Sequence, residues 1–196
     1  MTTEKFASQY GAPSERAKGK VVSYLSPFVQ QFIEKTPFLI MATSNANGRC
    51  DASTKGGAPG FVKIIDETSI LIPDVAGNKL FQSYNNLDEN PNVGLIFFIP
   101  GVNETVRVNG PAQFVTKKDM DKQKMVLHLY ETDDKSIYLQ GLLVTVEESY
   151  AHCPRALTFS HLWDTDIISM NSEHRPVPSK GMYDAERGSI IIKENQ

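Results

Sequence analysis

The chain has 196 residues, 40% of them hydrophobic, and a formal net charge of −3. That length and apolar content suit one ordinary domain with a real core, or one domain with tails. The charge balance lacks the basic stripe that nucleic acid requires, and no apolar run approaches the ~20 residues that span a bilayer. Only two cysteines, Cys50 and Cys153, and a polar N-terminus without an apolar signal segment lead to the expectation of a cytoplasmic protein with reduced thiols.

Residues 1–20 read as a loose arm. Ser26 and Pro27 then open a short helix as N-cap and first-turn proline, with Phe28, Val29, Phe32 and Ile33 on one face. Pro37 ends it. The apolar run Phe38–Thr43 predicts a buried strand, and Asn47-Gly48 folds the chain back as a hairpin through Arg49–Thr54. After the glycine-rich loop Lys55–Gly60, two strands, Phe61–Ile65 and Ser69–Ile72, flank an Asp66-Glu67 turn. Leu80, Phe81 and Tyr84 fit the buried face of a helix ending near Asn90-Pro91. Val93–Ile99 predicts a fully buried strand, Pro100-Gly101 a turn, and Thr105–Val115 the returning strand. Lys117–Tyr130 reads as a charged amphipathic helix with Met125, Val126 and Leu129 inward, and Leu142–Val146 as another strand. Ser149–Leu162 reads as a helix, with Pro154 near its start or kinking it. From Asp164 onward the chain is rich in proline, serine and charge, with a weak strand at Ile190–Ile192. Short strands joined by tight turns, with helices inserted, predict a small antiparallel barrel rather than a doubly wound parallel sheet.

Four clusters carry chemical potential. Ser53-Thr54-Lys55-Gly56-Gly57 ends a strand with two hydroxyls and a cation, and its glycines let a flat ligand approach the backbone. Its order matches neither a Walker loop nor a dinucleotide fingerprint, and a plain flexible connection is the alternative. Pro73-Asp74-Val75-Ala76-Gly77-Asn78-Lys79 opens a helix, where free amides and the Lys79 charge suit a phosphate; a turn capped by Asp74 or Asn78 is the alternative. Thr105 and Arg107 project together from one strand face, and an arginine there needs a partner, a ligand or a carboxylate. His152-Cys153-Pro154-Arg155 and Ser160-His161-Leu162-Trp163 lack the ligand set of a zinc site, and packing is the usual employment of a tryptophan such as Trp163. Histidine and serine positions define no Ser-His-Asp triad.

In their order and spacing these segments resemble the pyridoxamine 5'-phosphate oxidase-like family of FMN-binding split barrels. PFVQQFIEKTPFLIMATSNANGRCDASTKGGAPGFV is similar to the family's opening helix, hairpin and glycine loop, and LIPDVAGNKLFQSYNNLDENPNVGLIFFIPG to its most diagnostic stretch. ETVRVNGPAQ resembles the strand that follows, and HCPRALTFSHLW the helix and tryptophan of one subgroup. The resemblance implies a mainly β, α+β fold: a six-stranded antiparallel split β-barrel that forms a homodimer with FMN at the subunit interface. It implies a split-barrel domain over residues 21–165, between an N-terminal arm (1–20) and a C-terminal extension (166–196). Ser53, Thr54 and Lys55, with Gly56 after them, fall on the strand and loop that line the flavin, and Pro73 and Asp74 beside its ring. Asn78 and Lys79 fall where the family holds the phosphate, Thr105 and Arg107 where it contacts the flavin edge, and Arg155 and Trp163 resemble contributions of the second subunit.

The chain also departs from the oxidase that gives the family its name. Of the substrate strand aligned with Gly60–Lys63 only Lys63 is comparable, and no motif for gripping pyridoxal phosphate is recognisable after Asp164. The resemblance therefore implies an FMN-dependent oxidoreductase with another small-molecule substrate, exchanging a hydride at flavin N5 with that substrate or with NAD(P)H. The alternatives are an FMN or haem carrier or sensor, with His152 or His161 as haem ligand, and a structural protein that has lost the cofactor. No catalytic acid or base stands out.

Overall fold

The computed structural model describes residues 3–75, 80–122, 128–130 and 136–177. It falls into two compact units, Met1–Pro154 and Arg155–Gln196. In the first, α1 (Thr3–Tyr10) and α2 (Glu15–Lys18) lie within the predicted arm. The chain then forms α3 (Pro27–Lys35), where the Ser26 hydroxyl accepts a hydrogen bond from the Val29 amide and Pro27 fills the first turn. Val29, Phe32 and Ile33 face the core, as their helical spacing requires, while Phe28, predicted on the same face, is exposed.

The strands are β1 (Phe38–Ser44), β2 (Cys50–Gly56), β3 (Lys63–Asp66), β4 (Ser69–Val75), β5 (Asn92–Phe98), β6 (Thr105–Thr116), β7 (Tyr138–Thr145) and β8 (Glu148–His152). All pair antiparallel in the order β2-β1-β5-β6-β7-β4-β3, with β8 alongside β6. Among the described residues there are eight strands where the resemblance implies six, and β3 and β8 are the two shortest. The path leaves β2 at one edge and β3 at the other, so hydrogen bonding does not close the sheet. This is an α+β split barrel.

Register explains the two faces. Thr54, Ile40, Ile96, Arg107 and Tyr150 stand in one row across β2, β1, β5, β6 and β8. Alternate positions turn inward: Leu39 and Met41, Val93, Leu95 and Phe97, and Val106 and Val108 join Ile70, Ile72, Leu142 and Val144 in one core. Each such side chain contributes about 1.5–3 kcal/mol on burial. At Gly110 the long β6 leaves its pairing with β8 for pairing with β7. A Cβ there would collide with the Thr145 carbonyl oxygen, so the crossing of backbones requires glycine.

Several sequence expectations are corrected. The predicted Ser149–Leu162 helix is β8 followed, after Pro154, by the short α6 (Arg155–Phe159). Proline has no N–H and disfavours helical backbone at Cys153, and the amides before it pair with β6 instead. In the helix after β4, α4 (Gln82–Glu89), the buried residues are Ser83 and Leu87, while Leu80 and Phe81 are 63% and 46% exposed. The charged helix is α5 (Lys117–Lys122); 123–127 lie outside the described residues, and His128–Tyr130 are not helical. The strand predicted at Phe61–Ile65 is β3, two residues later, and Phe61 and Val62 are buried in the approach to it.

In the second unit, α7 (Thr165–Glu173) occupies part of the polar tail, capped by the Asp164 carboxylate on the Asp166 and Ile167 amides. Those hydrogen bonds hold the Asp164 carboxyl below its ordinary pKa. Ile190–Ile192 lie outside the described residues. No helix among the described residues is long and apolar enough to cross a membrane.

Candidate functional site

The alternation of β2 places Asp51, Ser53 and Lys55 on one face of an edge strand. Helix α4 packs over that face because its polar side chains tie it to the β1–β2 hairpin. The Asn86 amide donates to Thr43 Oγ1 at 3.0 Å, the Asn90 amide to Ser44 Oγ at 3.0 Å, and the Ala46 N–H to Glu89 Oε2 at 3.1 Å. Between β2, the end of β4 and the start of α4 lies a cleft of about 460 Å³. Its wall includes Ser53, Thr54, Lys55 and Asp74 of the sequence-predicted residues, and Asp51, Phe81, Ser83, Tyr84 and Leu139 besides.

Hydrogen bonds organise the floor. The Ser83 hydroxyl lies 2.6 Å from Asp51 Oδ2 and 3.2 Å from Ser53 Oγ, bridging helix and strand. Lys55 Nζ meets Asp74 Oδ1 at 3.3 Å and stands 5.4 Å from the centre of the Tyr84 ring. The Tyr84 ring packs on Phe114 and Phe81, at centroid distances of 5.3 and 6.1 Å. Burial, then the hydrogen bond to Asp74 and the charge of Asp74, push the Tyr84 hydroxyl well above the ordinary tyrosine pKa, so it stays protonated. Phe81 precedes α4 in left-handed backbone, at φ 52°, and gives the helix no side-chain cap. A phenylalanine in that conformation is uncommon and costs backbone energy.

The other predicted residues lie elsewhere. Gly56 ends β2 opposite Phe38, and Pro73 is half-buried opposite Gly141; neither belongs to the cleft wall. Gly57 and Ala58 are fixed rather than slack: their amides donate to the Pro37 and His128 carbonyls at 3.0 and 2.8 Å. Thr105 is buried on β6. Arg107 lines a second groove, of about 310 Å³, on the opposite face of the sheet with Ile40, Ile96 and Phe98. Its expected carboxylate partner is absent among the described residues; it donates to the Tyr150 hydroxyl at 2.9 Å. Asn78 and Lys79 lie outside the described residues. Arg155 and Trp163 belong to the second unit, where Arg155 is exposed and stacks 5.0 Å from the Phe159 ring and Trp163 is half-buried. Lys63 donates to the Gly60 carbonyl at 2.8 Å, and partial burial lowers its pKa. Among the described residues no three His, Cys, Asp or Glu side chains are grouped to hold a metal, and both cysteines are free and exposed.

Asp51, Ser83 and Tyr84 were missed by sequence reasoning as members of the site. The period-2 alternation of β2 carries a signal for Asp51, two residues before Ser53. For Ser83 and Tyr84 there is none, because their contacts depend on where α4 docks.

A family model described as pyridoxamine 5'-phosphate oxidase matches residues 25–153. No curated protein matches the chain. Among solved structures, the chain is similar to a Lactobacillus delbrueckii protein named for pyridoxamine 5'-phosphate oxidase, at 18% identity and TM-score 0.48 over 66% of this chain and 95% of that one. It is similar to HupZ of Group A Streptococcus at 14% identity and TM-score 0.45, over 64% and 92% of the two chains. A pyridoxamine 5'-phosphate oxidase-related, FMN binding protein of Nostoc punctiforme matches at 13% identity and TM-score 0.41, over 63% and 81%. None of these structural likenesses bears on the chemistry of the cleft.

Proposed function

The chain belongs to the pyridoxamine 5'-phosphate oxidase family, and we propose that its cleft binds FMN and that the protein is a cytoplasmic flavin-dependent oxidoreductase with a small-molecule substrate other than pyridoxamine phosphate. The observation that carries this reading is the make-up of the cleft. A hydroxyl (Ser53), an ammonium (Lys55) and two aromatic side chains (Phe81, Tyr84) surround about 460 Å³, within the range of about 300–1,000 Å³ usual for cofactor pockets. The donor set fits the cofactor: amides at the start of α4, which Phe81 does not cap with its side chain, suit a phosphate, and the aromatic wall suits a flat ring. Asn78 and Lys79, just ahead of α4 in sequence, are the residues we assign to the phosphate. Ser53, Thr54, Lys55 and Asp74 would line the remainder, with Gly56 and Pro73 shaping the backbone on either side.

FMN, when bound, supplies hydride exchange at its N5. The chain's own part is placement and electrostatics. Lys55 is the cation that offsets negative charge in the cleft, Tyr84 holds a proton on its hydroxyl, and Leu80, Phe81 and Leu139 give one wall an apolar surface. The proposed partner is a second copy of the chain. Phe38 is 38% exposed on the outer sheet face beside half-buried Ile40, Ile96 and Phe98, an apolar surface that another protomer would cover. Arg107, which lines the groove on that face, would then meet the partner's flavin.

The test is the visible spectrum of the purified protein, followed by anaerobic addition of NADH or NADPH. Flavin absorption bleached at a catalytic rate supports the enzyme. Flavin that resists reduction by either nucleotide argues for a carrier, and a Soret band for haem. A colourless protein that takes up no added FMN overturns the proposal.

A further inference from the structure

We propose that Asp74 is a specificity-determining residue that sets how strongly the cleft favours phosphate-bearing over neutral ligands, by holding Lys55 in an internal ion pair. This deepens the reading above and rests on it for the identity of the ligand alone.

Strands β2 and β4 share no hydrogen-bonded pairing; they lie far apart along the sheet path. The Lys55–Asp74 contact at 3.3 Å therefore spans the split of the barrel at the cleft. Both side chains are largely shielded from water, at 22% and 13% exposure, so their charges are screened less than those of a surface pair. Tyr84 lies beside the pair, with Lys55 Nζ 5.4 Å from the centre of its ring. Among the described residues of the wall, Lys55 is the one cation, against the carboxylates of Asp74 and Asp51. Asp51 is occupied by the Ser83 hydroxyl. An anion entering the cleft thus meets a cation that is already neutralised and has to compete with Asp74 for it. A neutral ligand meets no such competition. At separations of a few ångström, with an effective dielectric of about 20, a unit charge changes affinity by about tenfold or more.

A pair that only staples the split would, when broken, weaken all ligands alike. A pair that sets selectivity changes anionic and neutral ligands by different factors. The experiment is the ratio of riboflavin to FMN dissociation constants in the full-length protein and its Asp74→Asn and Asp74→Glu variants. The expected result is a ratio raised about tenfold or more in Asp74→Asn, chiefly through tighter FMN, and returned towards the wild-type value in Asp74→Glu. A ratio unchanged or lowered in Asp74→Asn overturns the proposal. Asp74→Ser serves the same reading should Asp74→Asn not fold.

Thermal stabilisation by inorganic pyrophosphate separates this inference from the FMN assignment. Should no variant bind either flavin, the FMN reading falls. A larger pyrophosphate shift in Asp74→Asn than in wild type then still upholds the role of Asp74, and equal shifts overturn it.

Discussion

Strand β4 has two halves with opposite chemistry. Ile70, Leu71 and Ile72 are 0–2% exposed, Ile70 and Ile72 in the barrel core. Pro73, Asp74 and Val75, the next three residues, are half-buried, and Asp74 and Val75 face the cleft. The backbone is continuous and stays paired with β7 through both halves, so hydrogen bonding does not explain the change. What differs is the neighbour across the barrel. Opposite the first half lie apolar side chains of the other strands and α3; opposite the second half, at the split, lies the polar face of β2. A buried face without an apolar partner tolerates charge only when the charge is paired, and Lys55 pairs Asp74.

The comparison can be broken at either end. Ile70→Ala removes a wholly buried side chain from the apolar half and should lower stability by about 2–5 kcal/mol in urea unfolding, with little change in the flavin affinity of the folded fraction. A loss below about 1 kcal/mol would show that the first half is not the core it is taken for. In the polar half, Lys55→Gln and, beside it, Lys79→Ala should each weaken FMN about tenfold or more in a fluorescence titration. Unchanged affinity in both would remove the cleft from the account.

Tyr84 gives a pH signature. Its pKa lies above the ordinary 10.0 in the fold, from burial first and Asp74 second. The folded chain therefore keeps a proton that the unfolded chain releases, and the stability this group contributes is complete below pH 10 and is lost as pH rises beyond it. Urea midpoints between about pH 8 and 11 should fall less steeply in Tyr84→Phe than in wild type. The smallest effect belongs to an ion pair that no cleft shields. Lys117 and Asp121 meet at 2.8 Å with side chains 52% and 55% exposed, and Lys117→Ala should shift stability by less than about 0.5 kcal/mol. A larger shift would mean that shielding is not what distinguishes Lys55–Asp74.

The sequence was most legible where periodicity and punctuation agree. β1, β4, β5 and β6 follow from apolar runs, α3 from Ser26-Pro27 and its helical face, and the β1–β2 turn from Asn47-Gly48, where Gly48 has φ 78°. It was least legible where tertiary pairing decides. Glu148–His152 has no strong strand pattern, and it is a strand because the first half of β6 offers it an edge. Phe81 looks like a core residue by type, yet its place before α4 turns it to the cleft. The predicted site shows the same division. Ser53, Thr54, Lys55 and Asp74 meet across 19 residues of sequence, through a β2–β4 approach that no local pattern encodes. Arg107 lines a groove on the other face of the sheet because register, not residue type, fixes its direction.

The most direct measurement is a calorimetric titration of the flavin-free protein with FMN, run beside Lys55→Gln. The account predicts saturable binding at about micromolar or tighter dissociation constant, weakened about tenfold or more by the substitution. A folded wild-type protein that gives no binding heat and no quenching of flavin fluorescence at about millimolar FMN would contradict it.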